Sequence, residues 1–293
     1  MNGVFAAVAT PVDGDGRVDI ATFDRLLEFL LAAGVDGICV GGATGEYPHF
    51  QMRERTEIVE RAAHRLPRNR TLLTGIGGPS MRRVIKLGRV AAARGSEALL
   101  LPAPMFFHYE QEDLRAYFVH VSREIGAPCL LYDLPSFTNG LSPDTIFSLL
   151  REEQFIVGIK DSSGRAGNIQ AFVQERHDDA WTLLVGDDRL LAQGVAAGWN
   201  GGISGVAGFC PELIVALHRA SAHKHTEEAA RLQELLDELI AHISVFPTPW
   251  GIRIGLGARG IDTGPLPLPV TPRRRQQIEE FHGWLPGFLK KIG

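Results

Sequence analysis

The 293 residues predict an α/β fold, a (β/α)8 TIM barrel with a C-terminal helical extension. Three observations carry this: eight short apolar runs, amphipathic stretches between them, and a strand-plus-helix repeat of about 25 to 30 residues. The runs lie at residues 4–9, 37–40, 71–75, 98–101, 129–132, 156–160, 183–186 and 201–204. They are continuous rather than alternating, the pattern of parallel strands covered on both faces.

The intervening stretches have helical periodicity. Phe23, Leu26, Leu27, Leu30 and Leu31 share one face of the first, and Leu114, Tyr117, Phe118 and Val121 one face of the fourth. Gly34, Gly95 and Gly126 stand where a left-handed residue closes a helix, and Ser142-Pro143 gives the fifth its cap and first-turn proline. Beyond the eighth unit, Leu232, Leu235, Leu236, Leu239, Ile240 and Ile243 mark a strong amphipathic helix. Helical stretches at residues 250–259 and 272–290 follow, parted by the Pro-rich segment 264–271. The expected division is a barrel over residues 1–224 and a three-helix extension over residues 225–293.

Composition narrows the function classes. A hydrophobic share of 45% with 22% charged residues is that of a globular protein. With a net charge of -4 and no basic block longer than Arg273-Arg274-Arg275, there is no electrostatic footprint for nucleic acid or an anionic membrane. The N-terminal residues carry no basic, then apolar, leader pattern, and no segment approaches the ~20 apolar residues of a membrane span, so a cytoplasmic location is expected. Cys39, Cys129 and Cys210 are far apart among small or apolar neighbours and are read as buried thiols in a reducing compartment. No histidine has ligand spacing with a strand-end carboxylate, and no Gly-x-Gly-x-x-Gly follows the first strand, so neither a metal nor any other cofactor is expected.

In such barrels the chemistry sits at the C-terminal mouth, which makes polar residues at strand ends the first candidates. Lys160 ends the sixth run. Desolvation at a barrel mouth favours a neutral, nucleophilic amine able to condense with a carbonyl, and the plainer alternative is an ion pair with Asp161. Tyr132 ends the fifth run next door, as a proton carrier or as a packed core residue. The turn Gly41-Gly42-Ala43-Thr44-Gly45-Glu46 offers amides and a hydroxyl to an anion, or is simply a tight connection that Glu46 braces. Gly201-Gly202-Ile203-Ser204-Gly205 lets backbone approach a small ligand, and Asp187 and Asp188 are read as helix caps rather than metal ligands.

Taken together, Gly42-Ala43-Thr44-Gly45-Glu46, Leu131-Tyr132-Asp133-Leu134-Pro135, Gly158-Ile159-Lys160-Asp161 and Gly202-Ile203-Ser204 resemble, in order and spacing, the dihydrodipicolinate synthase / N-acetylneuraminate lyase family of class I aldolases. The resemblance spans nearly the whole chain. It implies a Schiff base between Lys160 and pyruvate or the 2-oxo-acid part of a longer substrate. It also implies a proton relay through Tyr132, a carboxylate held at Thr44 and Gly45, the Ile203 backbone lining the pocket, and a homodimer or homotetramer.

Three positions depart from the synthase pattern. Ala43 replaces a second hydroxyl residue, Phe106 in Pro104-Met105-Phe106 replaces a tyrosine donated across the dimer interface, and Phe137 replaces the arginine that receives the second substrate's carboxylate. Loss of that cation removes a charge-assisted contact of roughly 1.5 to 3 kcal/mol, so an anionic aldehyde is a poor fit. The expected function is a Schiff-base lyase, aldolase or dehydratase, acting on pyruvate or a 2-oxo-3-deoxy acid. The alternatives are 4-hydroxy-tetrahydrodipicolinate synthase proper, a phosphate-binding barrel isomerase, and a non-catalytic 2-oxo-acid-binding protein.

Overall fold

A computed structural model describes residues 1–177 and 181–292. Eight parallel strands close into a barrel in sequence order: β1 (Gly3–Ala7), β2 (Gly37–Val40), β3 (Thr71–Gly75), β4 (Ala98–Pro102), β5 (Cys129–Asp133), β6 (Ile156–Asp161), β7 (Thr182–Val185) and β8 (Gly201–Ser204). β8 pairs with β1 and shuts the ring. Closure leaves no unpaired strand edge, and the helices that cover the outside bury the second face of every strand.

The apolar runs locate all eight strands but overshoot two. The run over residues 4–9 exceeds the strand, which ends at Ala7: the Val8 amide still donates to Cys39 O, and Val8 and Ala9 stay buried beyond the last paired residue. β7 ends at Val185, one residue short of Gly186. Apolarity reports burial, and burial continues past the last paired residue.

Inside the barrel, alternate residues pack as one cluster that includes Phe5, Cys39, Leu73, Leu100, Leu130, Tyr132, Leu184 and Ile203. Outside, the helices bury their apolar stripes against the strands. In α1 (Ile20–Ala32), Leu26, Leu27 and Leu30 are fully buried, each stabilising by about 1.5 to 3 kcal/mol. Asp19 caps that helix by accepting from the Thr22 amide, and Ser142 does the same for α5 (Pro143–Glu152) through the Thr145 amide.

Three helices follow the last barrel helix α8 (Pro211–Ala222): α9 (Thr226–Ile243), α10 (Trp250–Ala258) and α11 (Pro272–Ile292). α9 packs on α8, and α10 returns to the mouth of the barrel, where every residue from Trp250 to Leu256 is buried. It can lie so close because Gly255 faces Phe209, where a Cβ would come within 2.5 Å of the ring. No helix among the described residues is long and apolar enough to cross a membrane.

Candidate active site

The β5–β6 register sets Tyr132 directly opposite Lys160, both pointing into the barrel near its C-terminal end. Lys160 is 5% exposed and Tyr132 3%. The amine Nζ lies 3.2 Å from Tyr132 Oη and 4.3 Å from the ring centroid. Asp161 faces the other way, accepting from the Ser163 amide at 2.8 Å and from Asn168 Nδ2 at 2.8 Å. Among the described residues Lys160 has no ion-pair partner, so the pairing with Asp161 that the sequence left open does not occur.

Two neighbours shape the space around the amine. At Gly186 a Cβ would lie 2.9 Å from Lys160 Cε and 2.0 Å from Ser162 Oγ, so only glycine lets β7 pass the lysine. Cys39 is buried in the same interior cluster. Desolvation pushes its thiol up to about 11 against the pull of the Lys160 charge, so it stays protonated near neutral pH.

The loop after β2 closes one side of the mouth. The Gly45 amide turns back onto Gly42 O and the Glu46 amide onto Ala43 O, whereas the Ala43 and Thr44 amides have no partner among the described residues. Thr44 is 8% exposed, and its hydroxyl lies about as far from Gly205 as a Cβ there would allow, 3.5 Å from that position. Two free N–H groups and a hydroxyl make a small anion cradle. Glu46 fixes it: its backbone is left-handed (φ 50°), and its carboxylate meets Arg253 Nη1 of α10 at 3.0 Å. The rest of the Arg253 guanidinium holds Thr263 O and Pro265 O, each at 2.8 Å. Thr10 Oγ1 donates to Gly45 O from the opposite side.

Asp188 opens the short turn after β7, yet its side chain reaches into this site instead of capping that turn. Asp187 caps the short turn after β7, as expected, but Asp188 Oδ2 accepts from the Val206 amide at 3.1 Å beside the Ser204 hydroxyl. Desolvation pushes its carboxyl up to about 6, while Ser204, the Val206 amide and the Lys160 charge pull the other way. Ile203 is fully buried between these groups and Tyr132.

The two phenylalanines part company. Phe137 sits on the mouth in a turn whose Phe137 and Thr138 amides both donate to Leu134 O. Asp133 steadies that loop by accepting from the Leu141 amide and Arg165 Nη2, with burial holding its carboxyl above the usual range. Phe137 helps line a cavity of about 430 Å³ together with Ala43, Leu134, Tyr47 and Trp250. Phe106 does not join it. Its backbone is left-handed (φ 78°) and the ring is 88% exposed, edge-on to the exposed Phe107.

Sequence reasoning missed Tyr47, Asp188, Trp250 and Arg253. Tyr47 follows the Gly-rich turn directly, a legible signal. Arg253 and Trp250 lie in a helix whose apolar run disguised their positions.

The sequence matches the Dihydrodipicolinate synthetase family over residues 1–286. The chain belongs to that family. A 4-hydroxy-tetrahydrodipicolinate synthase of Aromatoleum aromaticum is 33% identical over 285 residues, covering 93% of each chain. Among solved structures, dihydrodipicolinate synthase of Aquifex aeolicus superposes with a TM-score of 0.92 at 26% identity, covering 98% of both chains. YagE of E. coli K12, a prophage protein of the dihydrodipicolinic acid synthase family crystallised with pyruvate, gives 0.91 at 25% identity, over 100% of this chain and 99% of its own. The family assignment makes the protein an enzyme, a class I lyase of the Schiff-base type, on the barrel that the sequence predicted.

Proposed function

We propose that the protein binds pyruvate or a 2-oxo-3-deoxy acid as a Schiff base on Lys160 and makes or breaks a bond at the adjacent carbon. The observation that carries this is the buried Lys160 amine with no carboxylate partner, 3.2 Å from the Tyr132 hydroxyl. The amine adds to the C2 carbonyl to give a carbinolamine, whose hydroxyl leaves as water as the iminium forms. Tyr132 passes the protons in both steps. Loss of a proton from C3 gives the enamine, the nucleophile for condensation. In the cleavage direction a C3–C4 bond breaks and the electrons return to the iminium. The substrate carboxylate sits at Thr44 and the free amides of Ala43 and Thr44, where donors are fixed before the substrate arrives.

Ala43 and Phe137 at the mouth argue against a 4-hydroxy-tetrahydrodipicolinate synthase proper, since no fixed cation from that loop faces the second substrate. The protein acts as a homodimer or homotetramer, with the exposed Met81, Phe106, Phe107 and Tyr109 as the apolar patch that a second copy covers. Its three buried, unpaired thiols suit a reducing, cytoplasmic compartment.

Borohydride reduction in the presence of pyruvate tests the reading. It expects a stable adduct on the peptide containing Lys160. Failure to trap pyruvate or any other 2-oxo acid overturns it.

A further inference from the structure

The cavity at the mouth adjoins the interior cluster that holds Tyr132. Ala43 and Leu134 line it and also pack on the interior cluster that contains Tyr132. Its volume of about 430 Å³ falls within the ~300–1,000 Å³ of small-molecule sites. The walls are mostly Met105, Leu134, Phe137, Trp250 and prolines, and no lysine or arginine lines it. Of its charged or titratable members, Glu46 is spent on Arg253, and His49 is half-exposed and 3.9 Å from Glu46. An anion entering this space would lose its water and find no lysine or arginine side chain lining the cavity to receive it, since the Arg253 charge is already taken by Glu46. A polyol would leave several hydroxyls against apolar walls.

Two buried polar groups are nevertheless free. Tyr47 is 7% exposed and Trp250 6%, both line the cavity, and neither the Tyr47 hydroxyl nor the Trp250 indole N–H has a hydrogen-bond partner among the described residues. Burial pushes the Tyr47 hydroxyl up to about 12, so it stays a donor near neutral pH.

We propose that this cavity is the aldehyde subsite and that it takes an uncharged, largely apolar aldehyde of aromatic or branched aliphatic type, with room for one hydroxyl bonded to Tyr47 or Trp250. The proposal rests on the Schiff-base reading above. The C3 carbon of the Lys160 enamine attacks the aldehyde carbon, a C3–C4 bond forms, and the aldehyde oxygen takes a proton from Tyr132. Water then hydrolyses the iminium, releasing a 4-hydroxy-2-oxo acid and the free amine. Phe137 and Trp250 set specificity by packing on the aldehyde's body.

The test has two arms. Borohydride trapping with pyruvate alone reads the donor half. Condensation with pyruvate is then measured for benzaldehyde, 4-hydroxybenzaldehyde and isobutyraldehyde against succinic semialdehyde and glyceraldehyde. The uncharged apolar set is expected to be favoured by about tenfold or more in kcat/KM, and Phe137→Arg is expected to shrink or reverse that preference. An adduct accompanied by equal or better use of succinic semialdehyde or glyceraldehyde, or by no condensation at all, overturns the proposal alone. Absence of the adduct overturns the Schiff-base reading and this proposal with it.

Discussion

Arg253 Nη1 meets Glu46 Oε2 at 3.0 Å, across 207 residues of sequence, with the two side chains 3% and 6% exposed. Through this contact a helix outside the eight βα units fixes the loop that carries Thr44. Removing one partner leaves an uncompensated buried charge, which costs about 3 to 5 kcal/mol. Arg253→Met is therefore expected to lower the urea midpoint strongly, and the double variant Arg253→Met with Glu46→Gln to recover part of the loss. Equal stability of the single variant and wild type would show that water reaches and solvates Glu46.

Tyr132→Phe keeps the ring that packs beside Lys160 and deletes only the hydroxyl at 3.2 Å from the amine. Exchange of the C3 protons of pyruvate into deuterated water, followed by NMR, is expected to slow by about 10²- to 10⁴-fold, while the unfolding midpoint changes little. An exchange rate within a few-fold of wild type would remove Tyr132 from the proton path.

Gly186→Ala places a methyl 2.9 Å from Lys160 Cε and 2.0 Å from Ser162 Oγ. Overpacking of this kind costs about 1 to 3 kcal/mol, and displacing the amine slows reaction further. The rate of reductive trapping with pyruvate is expected to fall by about tenfold or more. Wild-type trapping kinetics in a stably folded variant would mean that β7 moves aside without cost.

Asp188 gives a pH signature. Its carboxyl stands at about 6 in the fold against a model-compound value of 3.8, so the folded chain binds this proton more tightly than the unfolded one. The group's stabilising contribution is present below the unfolded value and is lost as pH rises through the folded one. Relative to Asp188→Asn, wild type is expected to gain stability as pH falls from about 7 to about 4.5, measured as the difference in unfolding free energy. A difference that stays flat, or that favours the variant as pH falls, would place the carboxyl at an ordinary value.

The barrel was legible because each strand is a short apolar run and each helix a 3.6-residue pattern, signals that survive in a single sequence. Lys160 and Tyr132 stand out in the sequence as polar residues at the ends of such runs and Thr44 as the hydroxyl of the Gly-rich turn after the second, and the structure brings Lys160 and Tyr132 within 3.2 Å of each other. Asp188 was not, since a carboxylate after a strand reads the same whether it caps a helix or accepts from the next strand's loop. The separation of Phe137 from Phe106 was also hidden: one left-handed residue turns Phe106 outward, and neither spacing nor hydropathy records a backbone angle. Arg253 and Trp250 reach the site only through the return of α10, a long-range docking that periodicity does not encode.

The mouth cavity is assembled from stretches around residues 43–49, 134–137, 247–250 and 267–268. During synthesis the eight strands emerge before the last of these. A chain with a closed barrel but an undocked α10 holds the Lys160 amine under an open roof, with Glu46 unanchored. The wall of the mouth cavity is thus completed by the last part of the chain to emerge.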